Sequence, residues 1–112
     1  MGVRLSDCDA GTATLAMTVT ETMVNGYSMT HGGYVVALAD TAFAVACNNS
    51  GRKTVATGAV ITFLSPTTVG DELMAEAVER ARRGRSGIYD VTVRCRGAVV
   101  AEFRGSSREL PG

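Results

Sequence analysis

Residues 34–47 read YVVALADTAFAVAC, a run made mostly of Val, Ala, Leu and Phe and broken by one charged side chain, Asp40. The run is too long for an ordinary strand, and its Ala and Leu content predicts a helix over 30–48. A helix that is apolar all round is expected to be buried all round. An ionised carboxylate left unpaired inside it would be strongly destabilising or would be driven to take up a proton. Asp40 therefore needs a reason to be there. At helical spacing its neighbours are Gly33, Val36, Ala37, Phe43, Ala44 and Cys47, several of them very small, which leaves a trough beside the carboxylate. A helical Asp usually lies on a solvated stripe or in a satisfied hydrogen bond. The apolar flanks and the glycine pair at the helix entry shift the balance here toward a functional group.

Strand periodicity fills most of the rest. Residues 3–8 read as a short strand, and 13–20 alternate Leu15, Met17 and Val19 against Thr14, Ala16, Thr18 and Thr20. A loop over 21–30 carries Asn25-Gly26 and delivers the chain to the helix. Four more strands follow: 54–65, stopped by Pro66; 72–82, with Leu73, Ala75 and Ala77 on one side; 88–96, with Tyr89, Val91 and Val93 on one side; and 98–106. One buried helix and a run of long antiparallel strands make an α+β domain whose sheet of five to six strands must wrap the helix to cover it. At 112 residues, 46% of them hydrophobic and 20% charged, the chain is read as one domain over 1–112 with room for one site on one helix. The first strand starts at residue 3, with no leading helix to add contacts.

Charge and cysteine content narrow the function. The formal net charge is zero, so no global field draws in nucleic acid or a membrane surface. Three cysteines (Cys8, Cys47, Cys95) with no CxxC spacing, and a single His, argue against zinc or any other metal and for a reduced cytoplasmic protein. Cys47 is read as a small core hydrophobe. No signal peptide or membrane span is expected, because the one long apolar run is short and interrupted by Asp40. A myristoylation pattern at Gly2 is short enough to arise by chance. No G-x-S-x-G elbow surrounds Ser28, so no Ser-His-Asp set is assembled.

The motifs Asn25-Gly26, His31-Gly32-Gly33, Leu38-Ala39-Asp40-Thr41-Ala42-Phe43-Ala44, Gly70-Asp71 and Gly87-Ile88-Tyr89-Asp90-Val91, in that order and spacing, resemble the hotdog-fold acyl-CoA thioesterases of the phenylacetic-acid-degradation (PaaI-like) type. The resemblance covers essentially the whole chain. It implies hydrolysis of an aryl- or phenylacetyl-type acyl-CoA to free acid and coenzyme A without a cofactor, and a homodimer with composite sites, paired again into a dimer of dimers.

The residues support such chemistry. A helix N-terminus presents unpaired backbone amides and a partial positive charge, suited to a developing oxyanion, and Gly32 and Gly33 leave that backbone bare. Asp40 would act as general base or as nucleophile. Gly32 and Asp40 are eight residues apart, or roughly 12 Å along one helix, so a single thioester needs Gly32 of one chain and Asp40 of a two-fold-related copy. The Asn25 amide is suited to hold the carbonyl or a water, against a plain turn role before Gly26. His31 is read as orienting the substrate or the loop rather than as an acid or base. Arg82, Arg83 and Arg85 are candidates for the coenzyme A phosphates, against a solvated turn. The other readings are a hotdog hydratase or dehydratase and a non-catalytic acyl-CoA binding protein.

Overall fold

The structure, a computed structural model, describes residues 2–26, 29–48, 51 and 53–111. Strand β1 (Arg4–Asp9), strand β2 (Thr12–Thr18) and a single 3-10 turn (Glu21–Met23) lead to helix α1 (Gly32–Asn48). Strands β3 (Thr54–Phe63), β4 (Glu72–Arg83), β5 (Ser86–Cys95) and β6 (Ala98–Glu109) follow. All six form one sheet in the order β1-β2-β4-β5-β6-β3, and every neighbouring pair is antiparallel. Because β3 crosses to the far edge, the sheet curls around α1, which contacts every strand.

The alternation expected for β4 and β5 holds. Leu73, Ala75, Ala77, Tyr89, Val91 and Val93 turn inward and are buried, while Met74, Glu76 and Val78 face out. The outward face is closed by cross-strand ion pairs, Arg94 with Glu76 at 3.0 Å and Arg104 with Asp90 at 2.6 Å. Inside, Phe43 of α1 is wedged between Tyr89 and Phe103, with ring centroids 5.5 and 5.8 Å away. Its ring lies on Gly105 of β6, where a Cβ would be only 2.7 Å from the ring.

Boundaries differ from the sequence prediction where tertiary hydrogen bonds decide them. The helix starts at Gly32 rather than residue 30, because Thr30 is extended, bridges Val24 and donates its amide to the carbonyl of Thr67 at 2.6 Å. β2 stops at Thr18, and the amide of Val19 turns to Asp71 O at 2.8 Å. β3 stops at Phe63, because the amides of Leu64 and Ser65 both donate to the one carbonyl of Val100. β5 begins at Ser86 and β6 runs on to Glu109, where Ser86 faces Arg108 and Thr54 faces Glu109.

One expectation fails. α1 is not buried all round: Val35, Leu38, Ala39, Ala42, Phe43, Ala46 and Cys47 face the sheet, but Gly33, Asp40 and Ala44 are exposed. The sheet of one chain covers only one side of the helix, and the other side, although mostly apolar, meets solvent. No helix among the described residues is long and apolar enough to cross a membrane.

Candidate active site

The N-terminal turn of α1 opens onto a cavity of about 380 Å³. Two segments wall it. The first holds Asn25, Met29 and Thr30, fixed by the Val24–Thr30 bridge and by the amide of Asn25 donating to Met29 O at 2.8 Å. The second is the loop after β3, from Leu64 to Thr67. They are clasped where the Thr67 hydroxyl donates to Thr30 Oγ1 at 2.6 Å and Thr67 O accepts from the Thr30 amide. Both ends of the turn that enters the helix are thus held by backbone bonds, since the His31 amide also donates to Met23 O at 2.7 Å.

Two of the sequence-predicted residues share this cavity. Gly32 lines it, and neither the Gly32 nor the Gly33 amide donates to any described residue. These are the free donors that a helix N-terminus offers. Asn25 lines it too, and its Oδ1 also accepts from the Met29 amide at 3.3 Å, so its turn role is real alongside any other. His31 is exposed beside the cavity rather than in its lining, and its imidazole has no partner among the described residues. Ser28 lies outside the described residues.

The other predicted residues are elsewhere. Asp40 is two turns further along α1 on the uncovered face, away from the cavity of its own chain. The arginines sit at the opposite end of the helix. There Asn48 exchanges hydrogen bonds with Thr54, the first residue of β3, and Arg82 and Arg85 lie around Cys47. Arg82 is committed to Glu109 at 2.8 Å. Arg83 lines a depression of about 290 Å³ with Thr57, Ser86 and Ser106, and the side chains of Arg83 and Arg85 have no partner among the described residues. Burial first, and the carboxylate of Asp40 in addition, push the Cys47 thiol above its ordinary value, which keeps it protonated and fits a packing role. No cluster of His, Cys, Asp and Glu among the described residues is arranged to hold a metal ion.

Two features of the site were not read from the sequence. Phe63 packs on Gly32, with the ring 3.0 Å from where a Cβ would stand, so this glycine accommodates an aromatic ring as well as a bare backbone. Asp71 anchors the far end of the wall loop: its carboxylate accepts from the Thr68 amide at 2.9 Å and from Arg96 at 3.0 Å. The Gly32–Phe63 and Asp71–Arg96 contacts join residues 31 and 25 positions apart, which no local pattern announces, while the Thr68–Asp71 bond closes a single turn.

Such a site offers free amides above an apolar cavity, a carboxylate out of reach in the same chain, and unpaired guanidinium groups at the far end of the helix. The chain belongs to the thioesterase superfamily, whose family model it matches over residues 27–102. Within that superfamily it is 42% identical over 113 residues to acyl-coenzyme A thioesterase PaaI of Escherichia coli, covering 100% of this chain and 81% of the relative. The structure of the E. coli PaaI protein, from the phenylacetic acid degradation operon, superposes with a TM-score of 0.96, covering 99% of this chain and 81% of that one. A variant of the phenylacetic acid degradation protein PaaI from Thermus thermophilus, 33% identical, superposes at 0.93 and covers 97% and 94% of the two chains. The helix wrapped by six antiparallel strands is therefore the hotdog fold.

Proposed function

We propose that this chain is an acyl-CoA thioesterase that works as a homodimer with two composite sites, with aryl- or phenylacetyl-type esters as substrates. The observation that carries the mechanism is the position of Asp40, a carboxylate on the uncovered helix face, roughly 12 Å along α1 from the free amide of Gly32. A two-fold axis that lays two copies of α1 antiparallel brings Asp40 of one to Gly32 of the other. Residue 36, midway between them, then lies on the axis.

Strand β3 supports the same assembly. It is an edge strand with no buried residue, and outside the cavity Val55 is 44% and Val60 72% exposed. A long apolar edge of this kind invites pairing with a second copy. The opposite edge, β1, carries Arg4, Asp7 and Asp9, which discourage it. Antiparallel helices also turn the arginine hairpin of one copy toward the cavity of the other. Arg83 and Arg85 are thus free to meet the phosphates of coenzyme A across the dimer, with Arg82 held back by Glu109.

In the reaction the thioester oxygen accepts a hydrogen bond from the Gly32 amide at the positive end of α1, and Gly33 leaves the approach open. Asp40 removes a proton from water as the water oxygen bonds to the carbonyl carbon, or adds directly to give an anhydride that water opens. On either route the C–S bond breaks, and coenzyme A departs with its sulfur taking up a proton. Asn25, which lines the cavity, would hold the carbonyl or the water, and His31, exposed beside the cavity, would orient the ester as it enters. A hydratase needs an acid and a base at the reacting carbons, and His31 does not line the cavity.

Release of free thiol from aromatic and straight-chain acyl-CoA esters tests the reading, with Asp40→Asn alongside. Loss of a catalytic base is expected to lower turnover by about 10²- to 10⁴-fold while ester binding persists. Full activity in the variant refutes the role of Asp40. After one turnover in oxygen-18 water, label in the Asp40 carboxyl identifies the nucleophilic route.

A further inference from the structure

Phe63 is the one aromatic residue lining the 380 Å³ cavity among the described residues, and its position is fixed from several directions. Its backbone is the last rung of β3, opposite the fully buried Ala101. Immediately beyond, two successive amides, Leu64 and Ser65, are tied to Val100 O at 2.8 and 3.2 Å. The loop is fixed again at Thr67 by its bonds to Thr30. The ring lies against the bare Cα of Gly32, so a side chain at that position would meet Phe63 Cζ at 3.0 Å. Yet the residue remains 51% exposed, a large apolar surface kept open beside a backbone amide that has no partner among the described residues. Met29, Val35, Leu64 and Pro66 continue the apolar wall around it.

We propose that Phe63 is the specificity-determining residue of the acyl pocket. An acyl carbonyl oxygen seated on the Gly32 amide sets its carbon substituent beside the Phe63 ring. The ring therefore limits how long an acyl group the cavity admits, and it offers a flat face to a planar one. Aromatic groups gain from such a face through offset or edge-to-face packing. A cavity of this volume lies near the lower end of the range for ligand sites, so removing one ring changes its capacity substantially. The proposal rests on the thioesterase reading above and adds to it the wall that selects the acyl group.

The test is the ratio of kcat/KM for an arylacetyl-CoA to that for a long straight-chain acyl-CoA, measured for the parent, Phe63→Leu and Phe63→Ala. A ratio within one preparation is independent of the fraction of active enzyme, so partial misfolding of a variant does not imitate the effect. The ratio is expected to fall by about tenfold or more in Phe63→Ala, and less in Phe63→Leu, which keeps part of the apolar wall. Hydrolysis by the parent with an unchanged ratio in both variants overturns the role of Phe63 and leaves the thioesterase reading standing. If Phe63→Ala does not fold, the ratio in Phe63→Leu decides. No hydrolysis of any ester by the parent overturns the thioesterase reading, and the proposal falls with it.

Discussion

Replacing Gly105 by Ala inserts one methyl group where α1 rests on the sheet. The added Cβ would lie 2.7, 2.8 and 2.9 Å from three carbons of the Phe43 ring. Carbon atoms in favourable contact sit about 3.5–4.0 Å apart, so the ring or the strand must give way by about 0.8 Å or more. Phe43 is 1% exposed and held by Tyr89 and Phe103 on its other sides, so the ring has no free space to enter. The strain therefore passes to the backbone of α1. Overpacking of this kind destabilises by about 1–3 kcal/mol. Urea unfolding followed by circular dichroism should show an earlier midpoint with unchanged slope, and Phe43→Leu should restore part of the loss in the double variant. Because α1 also carries Gly32 and Asp40, thiol release at equal folded fraction should fall as well. A midpoint equal to the parent's would show that α1 is not pressed onto β6 at this point, and the account of the core would be wrong.

Val36→Arg places two like charges on the proposed two-fold axis, so light scattering should report monomers and thiol release should be lost. A dimer that survives this change has its axis elsewhere. Asp90 is held below the ordinary carboxylate range, chiefly by hydrogen bonds from Arg104 at 2.6 and 2.9 Å, with the charges of Arg104 and Arg80 adding and partial burial opposing. A carboxylate depressed on folding contributes stability that is complete at neutral pH and is lost as pH falls below about 4. Asp90→Asn should therefore flatten the acid side of a stability–pH curve, and an acid limb identical to the parent's would contradict the pairing. Asp71→Ala leaves the Thr68 amide and Arg96 without their shared acceptor. The expected loss is about 1–3 kcal/mol in chemical unfolding, and an unchanged stability would show that water replaces the carboxylate without penalty.

What the sequence made legible follows from period and composition. The alternation of 73–78 and 88–93 names the buried face of β4 and β5, and the Ala-rich run 34–47 names the helix, because both signals are local and repeated. The glycine pair and Asp40 stand out because they interrupt those patterns. Strand ends were not legible, since the end of β3 is set by two amides converging on Val100 O and the start of α1 by the clasp between Thr30 and Thr67. The aromatic partner of Gly32 was hidden for the same reason. A glycine reports that a Cβ is absent, but only the fold reports that Phe63 occupies the space.

The failed expectation about Asp40 is informative on its own terms. A helix apolar all round is expected to be covered all round, and in one copy Gly33, Asp40 and Ala44 are exposed and Ala37 is only half-buried. The small residues among them then have a different meaning from a trough for substrate. Two helices pack at about 8–10 Å, with the distance set by the side chains at the contact, and small ones allow the closest approach. In the proposed dimer that approach is what carries the Asp40 carboxylate of one copy to the free Gly32 amide of the other. The apolar surface of the helix is thus divided between two tasks. Leu38, Ala42 and Phe43 hold it to its own sheet, while the face bearing Asp40 stays bare of bulk so that a second chain can complete the site.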